Sequence, residues 1–375
     1  MPPLSLLIKP ASGNCNMRCQ YCFYADVKAN RSLPSFGMMT LETLEVIVRK
    51  ALSQAEGSCT FAFQGGEPTL AGLDFYRALM DCQKKYARPG VNVANAIQTN
   101  GLAVDRAWAE FFAEHHFLVG LSLDGYKDLH DLYRQDASGK GTFNKILHTV
   151  QLFRQCQVEF NILTVVTAPV AANIRKIYGF YKKNHLDYQQ YIPCIEPFDA
   201  AGPDENNMPG YTLTPTLYAT FLKNLFDLWY NDVASQRFVY IRYFENLVGM
   251  VAGYPPENCG LLGQCTRQLV IEADGGVYPC DFYVLDKWRI GNLLVDSFDD
   301  IERNRAASGF IDVSLHVDDA CQACEWRSLC RGGCRRDREP LIDGKLSLNR
   351  YCDAYQAFFA YVRPRLVQLA RTIRR

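Results

Sequence analysis

Net charge is the first thing this chain lacks. Forty Lys and Arg balance forty Asp and Glu, so no overall field steers the protein toward nucleic acid or an anionic membrane, and no basic stripe offers either a place to dock. Long apolar runs are missing too. The opening "MPPLSLLIKPAS" has three prolines, no basic leader region and too few consecutive apolar residues for a signal peptide or a spanning helix, so a cytoplasmic location is expected. Internal repeats and low-complexity tracts are absent. With 48% hydrophobic and 21% charged residues over 375 positions, the composition excludes a disordered chain and allows one large core or two smaller ones. The basic end "VRPRLVQLARTIRR" reads as a solvated helix face.

Cysteine, by contrast, is abundant. Fifteen are many for a reducing compartment, where disulfides rarely persist, and their grouping points to metal or cofactor chemistry. The stretch "NCNMRCQYCFY" carries Cys15, Cys19 and Cys22 but no fourth thiol. A closed structural zinc site takes four ligands, whereas three thiolates on a cubane iron-sulfur cluster leave one iron open to a ligand. A zinc knuckle that borrows a distant fourth ligand remains the alternative on these residues alone. Farther on stand Cys259-x5-Cys265-x14-Cys280 and Cys321-x2-Cys324-x5-Cys330-x3-Cys334-x17-Cys352. Eight thiols make two full sets of four, suited to structure or electron transfer, with four-cysteine zinc as the chemical rival. Cys59, Cys82, Cys156 and Cys194 lie in apolar contexts and are expected to be buried small hydrophobes.

Apolar, β-rich runs recur at 4–10, 59–66, 91–101, 117–125, 158–167 and 188–196 and predict six strands. Segments with helical spacing separate them, such as "TLETLEVIVRKALSQAEG" with a cap at Thr40 and "DFYRALMDCQKKYA". This alternation implies a parallel sheet in an α/β fold, either a partial (β/α)6 TIM-like barrel or a doubly wound sheet. A Pro-, Gly- and Asn-rich loop at 196–215 ends the alternation and a helix follows at about 216–234. The division is then residues 1–235 and a cysteine-rich second domain at 236–375, ending in a helix. The loop and the aromatic "YIRYF" (240–244) are expected at the barrel mouth.

Functional groups of a barrel gather on loops after its strands, and the three-cysteine loop follows the first strand. C-x3-C-x2-C before Phe23 resembles the signature of the radical S-adenosylmethionine superfamily. In that family the open iron chelates S-adenosylmethionine, whose one-electron cleavage yields a 5′-deoxyadenosyl radical. "FQGGEP" (63–68) resembles the family's element for the methionine amino group, which implies roles for Gly65, Gly66 and Glu67. Asn100 in "QTNG" and Ser122 with Asp124 in "LSLDG" end the third and fourth strands, where polar groups suit the ribose and methionine, though each alone reads equally as a satisfied turn residue. Arg134 in "LYRQD" is the candidate for the carboxylate.

The later cysteines resemble the SPASM extension of peptide-modifying radical enzymes, which favours iron over zinc. The resemblance implies that Cys334 completes the set of Cys259, Cys265 and Cys280, while Cys321, Cys324, Cys330 and Cys352 form the other, giving three 4Fe-4S clusters in all. "GGVYPCDFYVLDKWRIGN", "FAFQGGEPTLAG" and "CRGGCRR" are similar to the anaerobic sulfatase-maturating enzymes over nearly the full chain. That likeness implies oxidation of one Cys or Ser in a C/S-x-P-x-R segment of an unfolded sulfatase to Cα-formylglycine, with Asp281 as base and flavodoxin or ferredoxin as electron donor. Alone, an Asp beside Cys280 is more often a turn or capping residue. Tyr24 and Gln64 are candidate substrate contacts. Two other readings use the same residues. One is an enzyme forming thioether or carbon-carbon crosslinks on a peptide, against which the early first strand leaves no room for a peptide-binding wing. The other is a zinc-stabilised binding module without catalysis.

Overall fold

The computed structural model describes residues 3–198 and 209–373. Within them the backbone groups into two compact units that do not run consecutively along the chain. Residues 1–123, 130–161 and 267–308 form one, and 124–129, 162–266 and 309–375 the other. Most of the loop expected at 196–215 lies outside the described residues.

All six expected strands form: β1 Leu4–Ile8, β2 Ser58–Phe63, β3 Asn92–Thr99, β4 Leu118–Ser122, β5 Phe160–Val166 and β6 Tyr188–Pro193. They are shorter than the apolar runs because turn residues take over at their ends, with left-handed Gly65, Gly66, Gly101 and Gly125 after β2, β3 and β4. In the first unit β1 to β4 pair in parallel and in sequence order. The helix Leu41–Gln54 starts where Thr40 accepts a hydrogen bond from the Thr43 amide, and it buries Leu44, Ile47, Val48, Ala51 and Leu52 along one stripe. Aromatic rings fill the space between sheet and helices: Tyr76 meets Phe63, Trp108 and Phe117 edge-on, with centroids 5.1 to 6.3 Å apart.

Three short strands from the cysteine-rich part extend this sheet beyond β1. β8 Leu269–Ile271 pairs parallel with β1, β9 Gly276–Tyr278 runs antiparallel to β8, and β10 Gly291–Asn292 antiparallel to β9. Val270, Ile271 and Val277 are fully buried there. Asp281 thereby enters the first unit, three residues past the end of β9.

In the second unit β5, β6 and β7 (Tyr240–Ile241) form a parallel ladder. The expected helix spans Pro215–Ala234, and the chain ends in a helix at Cys352–Ile373 that packs on it. Two expectations change here. Phe244 of "YIRYF" does not line an opening, because the helix Arg242–Ala252 turns it into a fully buried cluster with Phe226, Trp229 and Phe358. Nor is the basic end simply solvated: Val362 and Leu366 are buried, and Arg365 pairs with Asp227 Oδ1 at 2.7 Å while lying over the rings of Tyr361 and Phe226. Among the described residues no helix is long and apolar enough to cross a membrane.

Candidate functional site

None of the fifteen cysteines is in a disulfide. Cys59 and Cys194 are buried as expected, and burial pushes both thiols up to about 12, which makes them inert. Cys82 and Cys156 are instead half-buried, one on the helix Leu73–Lys85 and the other at the end of the helix Phe143–Gln155.

The three-cysteine loop leaves β1 and runs into the helix Phe23–Ala29, whose N-cap is Cys22. Residues 133–136 pin it: Met17 bridges Asp136, the Arg18 amide donates to the Gln135 carbonyl at 2.8 Å and the Gln20 amide to the Tyr133 carbonyl at 3.2 Å. Arg134, on that pinning strip, is buried beneath the ring of Tyr21, 5.5 Å from its centroid. Cys15 Sγ accepts from the Met17 amide at 3.4 Å and from Asn100 Nδ2 at 3.7 Å. Burial pushes this thiol up to about 11, and the two donors offset only part of that. Three thiols on one loop, none of them in a disulfide, fit an iron-sulfur cluster. Among the described residues no three His, Cys, Asp or Glu side chains converge as the shell of a single metal ion.

After β2 the Gly-Gly turn presses against this loop. A Cβ on Gly65 would collide with the Lys9 side chain and one on Gly66 with the Asn14 carbonyl, and both residues have positive φ. The glycines therefore make room for the chain itself. Glu67 is 1% exposed. Its carboxylate accepts from Thr69 Oγ1 (2.6 Å), Thr99 Oγ1 (2.6 Å), the Thr69 amide (3.1 Å) and the Asn100 amide (2.8 Å). Four donors hold it as the strut joining the ends of β2 and β3, while its burial pushes the carboxyl upward. Asn100 Nδ2 also donates to Asn16 Oδ1 at 2.8 Å, so the end of β3 touches the cysteine loop. Ser122 is buried at the end of β4. Asp124 falls in the second unit, where Oδ1 accepts from the Val165 amide of β5 at 2.9 Å.

Asp281 is the meeting point of three elements. Its Oδ2 accepts from Tyr24 Oη at 2.6 Å and from Gln64 Nε2 at 3.1 Å, and its Oδ1 lies 3.5 Å from Lys9 Nζ. The helix carrying Tyr24 is held there because Phe23 packs edge-on against Phe282, centroids 4.9 Å apart. Burial, then the Asp281 charge, pushes the Tyr24 phenol well above its ordinary value, so it stays a neutral donor. The side chain of Asp281 keeps 11% of its surface exposed.

Behind it lies a buried ion network that sequence reasoning missed. Lys9 follows β1 and Glu272 follows β8, and the β1–β8 pairing sets their side chains 3.8 Å apart. Arg31 reaches Glu272 at 2.8 Å. Two cations thus face two carboxylates with almost no exposure, and Lys9 Nζ also sits 4.3 Å from the Tyr24 ring centroid. A lone lysine after an apolar strand was the only local signal.

The later cysteines divide between the units. In the second, the charge on Cys330 interacts with those of Cys352, Cys321 and Cys324, the other members of one expected set of four. Cys265 interacts with Cys259, and a Cβ on Gly260 would stand 4.0 Å from Cys334 Cβ. Cys280 precedes Asp281 in the first.

Family models match twice: the Radical SAM superfamily over residues 10–170 and the SPASM iron-sulfur cluster-binding domain over 259–325. The chain is 48% identical to a cysteine-type anaerobic sulfatase-maturating enzyme of Clostridium novyi, covering 100% of this chain and 99% of that one. It is 30% identical to a serine-type one of Bacteroides thetaiotaomicron, over 96% and 90%. The solved structure of native anSMEcpe with bound AdoMet and Cp18Cys peptide superposes with a TM-score of 0.93 at 45% identity, covering 99% of this chain and 100% of that one.

Proposed function

The chain belongs to the cysteine-type anaerobic sulfatase-maturating enzymes of the radical SAM superfamily, with 4Fe-4S clusters and S-adenosylmethionine as cofactors, and from that membership we propose how its residues divide the work. Residues 1–235 hold the radical-forming cluster through Cys15, Cys19 and Cys22. Residues 236–375 hold two auxiliary clusters through Cys259, Cys265, Cys280 and Cys334 and through Cys321, Cys324, Cys330 and Cys352. S-Adenosylmethionine lies among Gly65, Gly66, Asn100, Ser122, Asp124 and Arg134, with Glu67 fixing the turn and favouring an ammonium near it. The substrate is a cysteine in a C-x-P-x-R segment of an unfolded sulfatase, and flavodoxin or ferredoxin supplies electrons in the cytoplasm.

When bound, the cofactors supply a radical able to take a hydrogen atom from the cysteine Cβ and an acceptor for the electron released later. Asp281 accepts the thiol proton. Loss of that hydrogen atom, the proton and one electron turns the CH2–SH group into a thioaldehyde, which water converts to the aldehyde with release of hydrogen sulfide. Tyr24 and Gln64 both donate to Oδ2 and fix the carboxylate plane, while Lys9 Nζ holds the other oxygen from 3.5 Å. The supporting observation is this convergence of Tyr24, Gln64 and Lys9 on a buried carboxylate that still keeps an open edge.

The test is anaerobic incubation of the reconstituted protein with a C-x-P-x-R peptide, S-adenosylmethionine and dithionite, read by mass spectrometry. Formylglycine is the expected product, and cleavage of S-adenosylmethionine beside unchanged peptide would overturn the assignment. Lys9→Met should lower formylglycine formed per S-adenosylmethionine cleaved. A hydrogen bond to a charged group contributes about 1.5–3 kcal/mol, so the fall is roughly ten- to a hundredfold. An unchanged ratio would remove Lys9 from the mechanism.

A further inference from the structure

The segment "CRGGC" joins the two proposed thiol sets, since Cys330 belongs to one and Cys334 to the other. Four residues later, Arg338 folds back onto it. The side chain is 4% exposed, and a Cβ on Gly332, midway between the two cysteines, would stand 3.6 Å from its Nη1. Arg338 and Cys321 both line a cavity of about 510 Å³, together with Gly332, Gly263 and His316. Its charge interacts with Cys321, Cys265 and Cys330, members of both sets, and with Asp318.

Its hydrogen bonds leave that charge largely uncancelled. Nη2 donates to the His316 carbonyl at 2.5 Å and Nε to the Ser347 carbonyl at 3.3 Å, and a neutral acceptor fixes a guanidinium without neutralising it. Asp318 is engaged in capping, accepting from the Ala320 amide. The neighbouring Arg335 differs, because its Nε is bound to Glu339 at 3.2 Å. A buried cation without a carboxylate bound to it costs free energy unless other anions balance it. Those its charge meets are the thiols of Cys321, Cys265 and Cys330 and the carboxylate of Asp318.

We propose that Arg338 is a positioning residue shared by the two auxiliary clusters, its guanidinium fixed between their thiolate sets so that it raises the reduction potential of both. A cluster held by four thiolates gains negative charge on reduction, and a cation kept in a low-dielectric interior favours the reduced form. Removing the charge therefore makes each cluster a weaker electron acceptor. This inference rests on the reading of the eight thiols as two cluster sites.

The experiment is a redox titration followed by electron paramagnetic resonance on reconstituted holoenzyme, comparing the wild type with Arg338→Met and Arg338→Lys after iron and sulfide analysis of each. The first cluster is distinguished by the change in its signal when S-adenosylmethionine is added. Arg338→Met should load the same iron and lower the reduced-to-oxidised ratio of both auxiliary clusters at least tenfold at fixed potential, ~59 mV for one electron, with the first cluster unmoved. Arg338→Lys should restore most of the shift. Full loading with unmoved potentials would overturn the role of Arg338, as would equal shifts in both variants or loss of iron from both. Wild-type protein that loads iron for the first cluster alone would instead overturn the cluster reading itself.

Discussion

Asp281→Asn should leave iron loading and S-adenosylmethionine cleavage intact while formylglycine formation falls by about 10²–10⁴-fold, the range general acid–base catalysis spans. The substitution keeps the shape and retains one acceptor oxygen, so Tyr24 or Gln64 can still be met. It removes the proposed proton acceptor. An amide does not accept a thiol proton near neutral pH, and the neutral side chain no longer balances Lys9, which is left with Glu272 at 3.8 Å. Because Lys9 is 1% exposed, some loss of stability accompanies the change. The informative quantity is therefore the ratio of formylglycine to 5′-deoxyadenosine, measured on variant protein shown to carry its full iron. A low ratio places Asp281 after radical formation, and an unchanged ratio removes it from the chemistry.

The second large effect is expected on the opening loop. Replacing Cys15, Cys19 and Cys22 together by Ala should abolish S-adenosylmethionine cleavage and leave about eight of about twelve iron atoms per chain, at four per cluster. The loop itself should survive, because the backbone of Met17, Arg18 and Gln20 still holds it to residues 133–136 when the contacts of Cys15 Sγ with the Met17 amide and Asn100 Nδ2 are lost. Iron and sulfide analysis beside a cleavage assay checks both halves. Residual cleavage would locate the radical-forming cluster elsewhere, and loss of nearly all iron would mean that the three sites do not load independently.

Much of this was legible because it is local. Thiol spacing, strand runs ending in Gly-Gly or Asn-Gly turns, and the Thr40 cap are properties of a few neighbouring residues, and each recurs in the structure where the sequence places it. Asp281 came from family likeness, Tyr24 and Gln64 from their place near the first cysteine loop and the barrel mouth, and their convergence depends on separations of 257 and 217 positions that no periodicity reports. The same holds for β8 to β10. Strands of two or three residues leave no alternation to read, yet their pairing with β1 is what brings Glu272 to Lys9. Burial also reversed the reading of charged residues. Arg365 reads as part of a solvated face in sequence and is half-buried among aromatic rings and Asp227, while Lys9, which drew no reading, is interior beside carboxylates from distant segments. Glu67 is a further case: its charge was legible, but not the four internal donors that already occupy it.

The central claim is that this chain removes hydrogen from the β-carbon of a peptide cysteine. A C-x-P-x-R peptide whose cysteine carries two deuterium atoms on Cβ tests it directly, with peptide and nucleoside products analysed by mass spectrometry from one anaerobic reaction. The account predicts 5′-deoxyadenosine bearing one deuterium and a formylglycine peptide that retains the other. Formylglycine with unlabelled 5′-deoxyadenosine, or labelled nucleoside with no aldehyde in the peptide, would contradict it.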